Sequence, residues 1–449
     1  MRHFFALTVL FFLLAPAVRG QTTTVRELPG GATLIVSQEP NETNVVIEAF
    51  FRVGVADENA AGENGSSALL ARTWAGGGAN RSAWLLARDI GKFGALGVWS
   101  TGDYIELWTL SGAAERDIAA QTLLQNIVST PLFLPGAVEN ARRDIERERS
   151  LRTDGLLTEA IHRLRGRVFV ASPTGRDPLS DPASLTSVTP ANLRRFYAKT
   201  VGADARRAVF VVAGNIVADD AERMIRSSLA AGDWQAWRDA GKSPKTVAPS
   251  VATDAVPEGL KPLDLRRPAP NRLALVGFVA PGTTEGAKTA ATLYVLDAVV
   301  GGGKDCRLFA LRDRSVDGSP PVGYDIVSRI EAGREQSLWV ASVSGTIPSS
   351  QIAQDSIVAT LRALADGSRP VTEDELIRAK AFLKGKHRRE RQRLSERASA
   401  LGYAQVMGLG AKFESDYDAQ IDAITAAEVT LLAKRIFNSN PAYAATGTP

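Results

Sequence analysis

A strand-like run followed by a helix that ends in three glycines occurs twice in this chain. Asn44 to Gly54 reads NVVIEAFFRVG, and after a loop Gly65 to Gly78 reads GSSALLARTWAGGG. Asn271 to Pro281 reads NRLALVGFVAP, and Ala291 to Gly303 reads ATLYVLDAVVGGG. Self-similarity at so long a period means that one structural unit has been used twice, which decides the fold before any single residue does. Glycines after a helix supply the left-handed backbone that stops it. Later parts of the two copies match in the same order. Thr189-Pro190, then Leu193, Phe196 and Tyr197, predicts a capped helix, with Arg206 to Gly214 (RRAVFVVAG) as the strand after it. In the second copy Thr425 and Glu428 form a capping box ahead of Val429, Leu432 and Ile436, and the chain runs on to a short strand near Tyr443.

Between the copies, Gly241 to Pro270 carries six prolines and little periodicity, the composition of an extended linker. The expected division is therefore a first domain over 21–240, a linker over 241–270 and a second domain over 271–449. Within each half, alternating strands such as Tyr104 to Leu110 are interspersed with amphipathic helices such as Ala113 to Thr130 and Ser349 to Asp366. The fold class that follows is α+β: two homologous domains, each a mostly antiparallel sheet with helices packed on one face, joined by the Pro-rich linker.

Residues 1–20 read as an export signal: Arg2 and His3, an apolar stretch from Phe4 to Leu14, then small residues to Gly20. That stretch is too short for a stable span, since a bilayer core needs about 20 apolar residues. The expectation is an exported chain, periplasmic or extracellular, without a stable membrane span. Its 53 Lys and Arg against 49 Asp and Glu leave a formal charge of +4, which gives no electrostatic case for a nucleic-acid partner. The basic stretch Lys380 to Arg397 carries both signs on one helix, with Leu376, Ala379, Phe382 and Leu383 on its apolar side, and reads as a solvated helix face.

Familiar catalytic patterns are missing. Beyond residue 20 the only histidines are His162 and His387, far apart and without neighbouring ligands at metal spacing. His162 reads as a helix-surface or satisfied buried residue and His387 as part of a solvated basic helix. The run Gly301 to Lys304 is no phosphate loop, because Asp305 stands where Ser or Thr is required. Cys306 has no histidine nearby in sequence and reads as a packed or unreactive thiol.

The arrangement resembles the pitrilysin/insulinase type of zinc peptidase, in its processing-peptidase branch, over essentially the whole chain after the leader. Active members carry G-x-x-H-F-x-E-H on the first helix after the first strand, with a further ligating Glu about 76 residues on. Here that run is Gly65-Ser66-Ser67-Ala68-Leu69-Leu70-Ala71-Arg72. The resemblance therefore implies that both histidines and the Glu base are replaced, and that Glu148 is the relic of the third ligand. No metal or other cofactor is expected in this chain. The second half keeps more of the pattern: G-G-G-x-x-S-R-L-F-x-x-L-R corresponds to Gly301 through Arg312, and the Tyr of a later G-x-A-Y to Tyr324. In the family the aligned Arg and Tyr reach across to the zinc domain, hold substrate backbone and stabilise the tetrahedral intermediate. Asp317 to Pro321 (DGSPP) looks inserted between them. The family strand near Ala95 to Leu107 lies at a sheet edge and pairs with extended peptide, but Val98 and Trp99 replace the usual Asn-Ala. Trp74, Trp84, Trp99 and Trp108 read as core or domain-interface residues.

The resemblance implies a non-catalytic subunit of an exported heterodimeric peptidase. This chain would be inactive alone, would enclose a peptide substrate, and would supply Arg312 and Tyr324 to a zinc-bearing homologous partner. The alternative is a non-hydrolytic peptide-binding or assembly protein on the same fold.

Overall fold

The computed structural model describes residues 21–446 apart from 61, 75, 77–81, 240–253, 266–271, 313–321, 346 and 348. The leader at 1–20, much of the linker, two of the three glycines at 76–78 and the DGSPP insertion therefore lie outside the described residues. Two sheets form. The first contains β1 (Thr22–Glu27), β2 (Thr33–Gln38), β3 (Asn44–Phe51), β4 (Gly94–Ser100), β5 (Ile105–Gly112) and β6 (Ala208–Gly214), in the order β1-β2-β6-β3-β5-β4. The second contains β7 (Leu263–Asp264), β8 (Arg272–Pro281), β9 (Asp325–Glu331), β10 (Gln336–Gly345) and β11 (Ala442–Ala445), in the order β7-β11-β8-β10-β9. All strand pairs are antiparallel except β2 with β6 and β7 with β11. The mixed, mostly antiparallel sheets and the repeated plan are those the sequence predicts. Among the described residues no helix is long and apolar enough to cross a membrane.

Each half covers one face of its sheet with its own helices. Val45, Ile47, Ala49 and Phe51 of β3 face a core that includes residues of the helices Ser66–Trp74, Arg116–Ala120 and Ala218–Ala230. Ala274, Val276 and Phe278 of β8 face the helices Ala287–Gly301, Ser350–Ala365 and Ala426–Phe437 in the same way. Thr189 and Thr425, the capping residues read from the sequence, start the helices Pro190–Lys199 and Ala426–Phe437, and Thr372 starts Glu373–Arg389 in the same way. Thr189, Thr372 and Thr425 each accept a hydrogen bond from the third residue on, Asn192, Glu375 and Glu428.

The alternate residues of both central strands are also buried, so each sheet needs a second cover. That cover comes from the other half. The helix Leu394–Val406 of the second half lies on β3 and β6, with Leu394, Ala398 and Leu401 in one cluster with Val46, Phe50, Val209 and Val211. The helix Leu156–Val168 of the first half lies on the second sheet, with Ala160, Ile161 and Leu164 against Leu273, Leu275, Leu338 and Val340. Close approach is built in at both contacts. A β-carbon on Gly402 would fall 1.9 Å from a ring carbon of Phe50, and one on Gly277 would fall 3.0 Å from a methyl of Leu164.

Polar contacts fasten the exchange. The Arg397 guanidinium donates to Glu39 and Glu42 of the first half. Asp254 accepts from the backbone N–H groups of Ala171 and Ser172, while its own backbone is bracketed by Gln336 at 2.8 and 2.7 Å. The stretch expected to be a featureless linker thus holds a clip, and it also supplies the edge strand β7.

Two segments differ from the sequence reading. The basic stretch is two helices, Glu373–Arg389 and Leu394–Val406, with Glu396 accepting from the Arg393 backbone to restart the second. The helix expected over Ala113 to Thr130 begins at Arg116 and widens into a π-helical run over Gln121–Val128, where the Ser129 hydroxyl donates to the Leu124 carbonyl.

Overfilling one exchanged contact or emptying the other should destabilise the whole chain. Gly402→Ala is expected to cost about 1–3 kcal/mol through overpacking against Phe50, and Leu164→Ala about 2–5 kcal/mol through the cavity it leaves. Urea unfolding checks both, and parental midpoints would show that the exchanged helices do not hold the fold.

Candidate functional site

The first helix, Ser66–Trp74, starts on a buried carboxylate. Gly65 at φ +88° turns the chain, with Leu185 and Ser180 packed so close that a β-carbon would clash. The N–H groups of Gly65 and Ser67 then donate to Glu58 at 3.0 and 2.8 Å, and the Ser67 hydroxyl adds a third bond at 2.6 Å. Burial pushes the Glu58 carboxyl up from its ordinary range, against the lowering effect of these donors. Arg176 holds the loop by donating to the Val55 and Glu58 carbonyls. The sequence reading missed Glu58 because nothing local marks it: the carboxylate caps a helix seven and nine residues away. At the other end, the Trp74 indole N–H donates to Ile127, and its ring packs on Phe51 and Tyr197.

On this helix Ala68 and Ala71 are methyl groups in the core. Arg72 leans back along its own turn. One guanidinium nitrogen donates to the Ala68 carbonyl at 3.1 Å and the Ser100 hydroxyl at 3.3 Å, and the other pairs with Glu148 on the helix Pro135–Asp154. The two positions that the resemblance assigns to a metal ligand and to the third ligand thus hold each other. These residues do not fit zinc: they offer one carboxylate, no imidazole or thiolate, and a fixed positive charge beside the place a cation would sit. Among the described residues no group of three His, Cys, Asp or Glu side chains is placed to hold a metal ion. With the Glu148 side chain 46% exposed, such a pair contributes only about 0–1 kcal/mol. Its significance is occupancy rather than stability.

The structure brings Arg312 and Tyr324 together. Arg312 ends the short helical turn Phe309–Arg312, and Tyr324 immediately precedes β9. The Val322 N–H donates to the Leu311 carbonyl at 3.2 Å, so the ends of the 313–321 segment are tied. The Arg312 guanidinium lies over the Tyr324 ring, 3.8 Å from its centroid, and 5.2 Å from that of Phe309. Stacking of this kind at an exposed site is worth about 0.5–1 kcal/mol and leaves the N–H groups free to point outward. Among the described residues neither side chain has a hydrogen bond or ion pair, and Tyr324 is 70% exposed.

The other singled-out residues divide. His162 is satisfied, with Nε2 3.3 Å from an Asp177 oxygen, and Arg152 grips the same carboxylate in two-pronged fashion. Together these partners hold Asp177 well below the usual carboxylate range although burial opposes them. His387 does not sit on a solvated face: it stacks on Tyr417 at 4.0 Å and lies 2.9 Å from Glu414. Cys306 is buried, and burial pushes its thiol up, as expected of an unreactive group. Of the tryptophans, Trp74 is core, but Trp84 and Trp99 are exposed. Trp108 leans across to β4, where only the absent side chain of Gly97 leaves room for its ring. β4 is an outer strand of its sheet, with Trp99 directly opposite Glu106.

Residues 187–383 match a family model described as the peptidase M16 inactive domain. The matched segment contains Arg312 and Tyr324 and leaves out the Ser66–Trp74 helix. No curated protein sequence matches the chain. Solved structures share its fold at low identity. A protease from Helicobacter pylori superposes with a TM-score of 0.80 at 15% identity, covering 95% of this chain and 100% of that one. A peptidase M16 inactive domain from Pseudomonas fluorescens gives 0.77 at 15%, with 95% and 98% covered. An M16-like peptidase from Alicyclobacillus acidocaldarius gives 0.77 at 16%, again with 95% and 98% covered.

If the Arg72–Glu148 pair has replaced a ligand set, restoring one imidazole should not rebuild it. Arg72→His is expected to purify without stoichiometric zinc by elemental analysis. Ala68→His with Arg72→His, which frees Glu148 and adds two ligands one turn apart, should take up about one zinc per chain.

Proposed function

We propose that this chain, whose residues 187–383 match the peptidase M16 inactive domain, belongs to the pitrilysin-type (M16) peptidase family and is the non-catalytic subunit of an exported two-chain peptidase. In this reading a homologous partner carries the zinc, the two chains enclose an unfolded peptide, and this chain completes the partner's site. The observation that carries it is the contrast between the two halves. The first half spends Arg72 and Glu148 on each other, while the second presents an arginine and a tyrosine stacked together with no hydrogen-bond or ion-pair partner among the described residues.

That pair has the chemistry for the role. A guanidinium offers several N–H donors in a fixed plane, and stacking on Tyr324 fixes the plane without consuming them. A phenol adds a neutral O–H. Both groups suit a carbonyl oxygen that gains negative charge as a peptide bond is attacked, where preorganised donors lower the barrier most. Export of the chain and the identity of the substrate peptide belong to this proposal.

A second reading, peptide binding or assembly without hydrolysis, draws support from the first sheet. Its outer strand β4 leaves one edge without a partner strand among the described residues, and Trp99 stands 58% exposed on it. An open edge can accept an extended chain by backbone hydrogen bonding.

Affinity capture of the mature chain from its native exported fraction, with mass spectrometry and zinc analysis of what accompanies it, separates these readings. A zinc-bearing homologue recovered in equal amount is expected. In the reconstituted pair Arg312→Ala and Tyr324→Phe should each lower kcat/KM by about 10- to 1,000-fold. A pair whose activity is indifferent to both changes would refute the in-trans role, and recovery of this chain alone with bound peptide would favour the second reading.

A further inference from the structure

Glu48 sits in the middle of β3, whose other side chains from Val45 to Phe51 are all apolar and buried. It is 1% exposed, and it points to the face on which the Leu394–Val406 helix rests, as do its neighbours Val46 and Phe50. Glu106 on β5 lies directly opposite Phe50, and Glu48 directly opposite Trp108, so the two carboxyls are diagonal neighbours on one face. Between them comes a side chain of the other half. The Ser399 hydroxyl is 2.8 Å from one Glu48 oxygen and 3.3 Å from one Glu106 oxygen, while the second Glu48 oxygen is buried without any partner.

Proton accounting decides the state of this group. A serine hydroxyl carries one hydrogen and can donate to only one carboxylate. The other contact needs a hydrogen from a carboxyl. Among the described residues no cation pairs with either carboxyl. On the covering helix Arg397 is taken by Glu39 and Glu42, and Arg393 lies beside Glu396. Beyond it Glu414 is taken by His387 and Arg391. From the sheet come Tyr104, Trp108 and Trp99, with Val209 and Val211 of β6, and Tyr104 meets Tyr403 of the helix edge to face. Asp103, in the β4–β5 turn, is balanced by Arg165 and Arg334. Two uncompensated carboxylates at this spacing would be strongly unfavourable, so the packing requires a proton.

We propose that Glu48, Glu106 and Ser399 form a proton-dependent latch between the two halves: the protonated pair seats the Leu394–Val406 helix on the first sheet, and loss of the proton loosens it. Burial pushes Glu106 up to about 7, and burial with the neighbouring Glu106 charge holds Glu48 well above its ordinary range. The seated state therefore binds more protons than a state in which water reaches the carboxyls. Its extra stability is present at acidic pH and is lost as the pH rises through neutrality. Arg397 with Glu39 and Glu42 keeps the helix attached at one end, so the expected motion is a local lifting rather than separation of the halves. The latch belongs to this chain alone and does not rest on the assembly proposed above.

Hydrogen exchange on the intact chain tests it. Between about pH 6 and 8.5, amides of Leu394–Val406, corrected for intrinsic exchange, should lose at least about tenfold in protection relative to those of Ala426–Phe437. In Glu106→Gln and in Glu48→Gln that loss should be flattened. Infrared difference spectra should show the carbonyl stretch of a protonated carboxylic acid near neutral pH, weakened in either variant. A wild-type protection ratio that stays constant across the range would overturn the latch, as would the absence of the acid band. Either wild-type result decides the matter even if the Gln variants fail to fold.

Discussion

A β-sheet with apolar side chains on both faces must be covered on both faces, and neither half of this chain can do that for its own sheet. Each half brings helices enough for one side. The exchange of the Leu156–Val168 and Leu394–Val406 helices closes the second side of both sheets at once, so each half completes the other's core. Burial here is shared across the pseudo-repeat, and the stability of one half is inseparable from the docking of the other. The clip at Asp254 and the Arg397 contacts to Glu39 and Glu42 give that docking a register that apolar contact alone would not.

The same constraint explains where polar groups concentrate. Buried carboxyls in this protein sit where elements from different parts of the chain meet: Glu58 at the start of the first helix, Glu48 and Glu106 beneath the exchanged helix, Asp297 under Ser328 and Trp339. None of the four forms an ion pair among the described residues, and each is pushed up by burial. Arg72 with Glu148 and Arg152 with Asp177 are the opposite case, where a guanidinium meets a carboxylate directly. On the first helix the Arg72 charge is met by the carboxylate of Glu148. Arg312 has no such partner among the described residues and rests on an aromatic face instead.

Much of the fold was legible in the chain. Local chemistry starts the capped helices at Thr189, Thr372 and Thr425, and alternation marks β5. The run NVVIEAFF of β3 was read only as strand-like, although apolar residues on both of its faces signal a doubly covered strand. What covers the second face was not legible, because helix amphipathicity says that a face is buried without saying against what. The break at Glu390 to Arg393 carries no Gly or Pro and gave no local sign; the chain leaves its helix there because the next segment docks on the other sheet. His387 was misplaced for the same reason: a basic helix conceals one polar side chain when Tyr417 and Glu414 come from a later segment. Trp84 and Trp99 failed in the other direction, since aromatic character does not force burial in the first turn of a helix or on an outer strand.

Of the site, the sequence by itself determined the chemistry of the positions: two alanines and an arginine where the family resemblance calls for His, Glu and His, a Glu 76 residues beyond Arg72, and an Arg and a Tyr in the second half. Residue type alone closes off or permits a reaction, because a methyl group cannot ligate and a guanidinium cannot be a base. Only the tertiary structure decided that Arg72 meets Glu148, that Arg312 stacks on Tyr324 and that Ser399 stands between Glu48 and Glu106. Those pairings depend on distances of a few ångströms between residues up to 351 positions apart, and such distances are set by how sheets and exchanged helices pack, which no local pattern encodes.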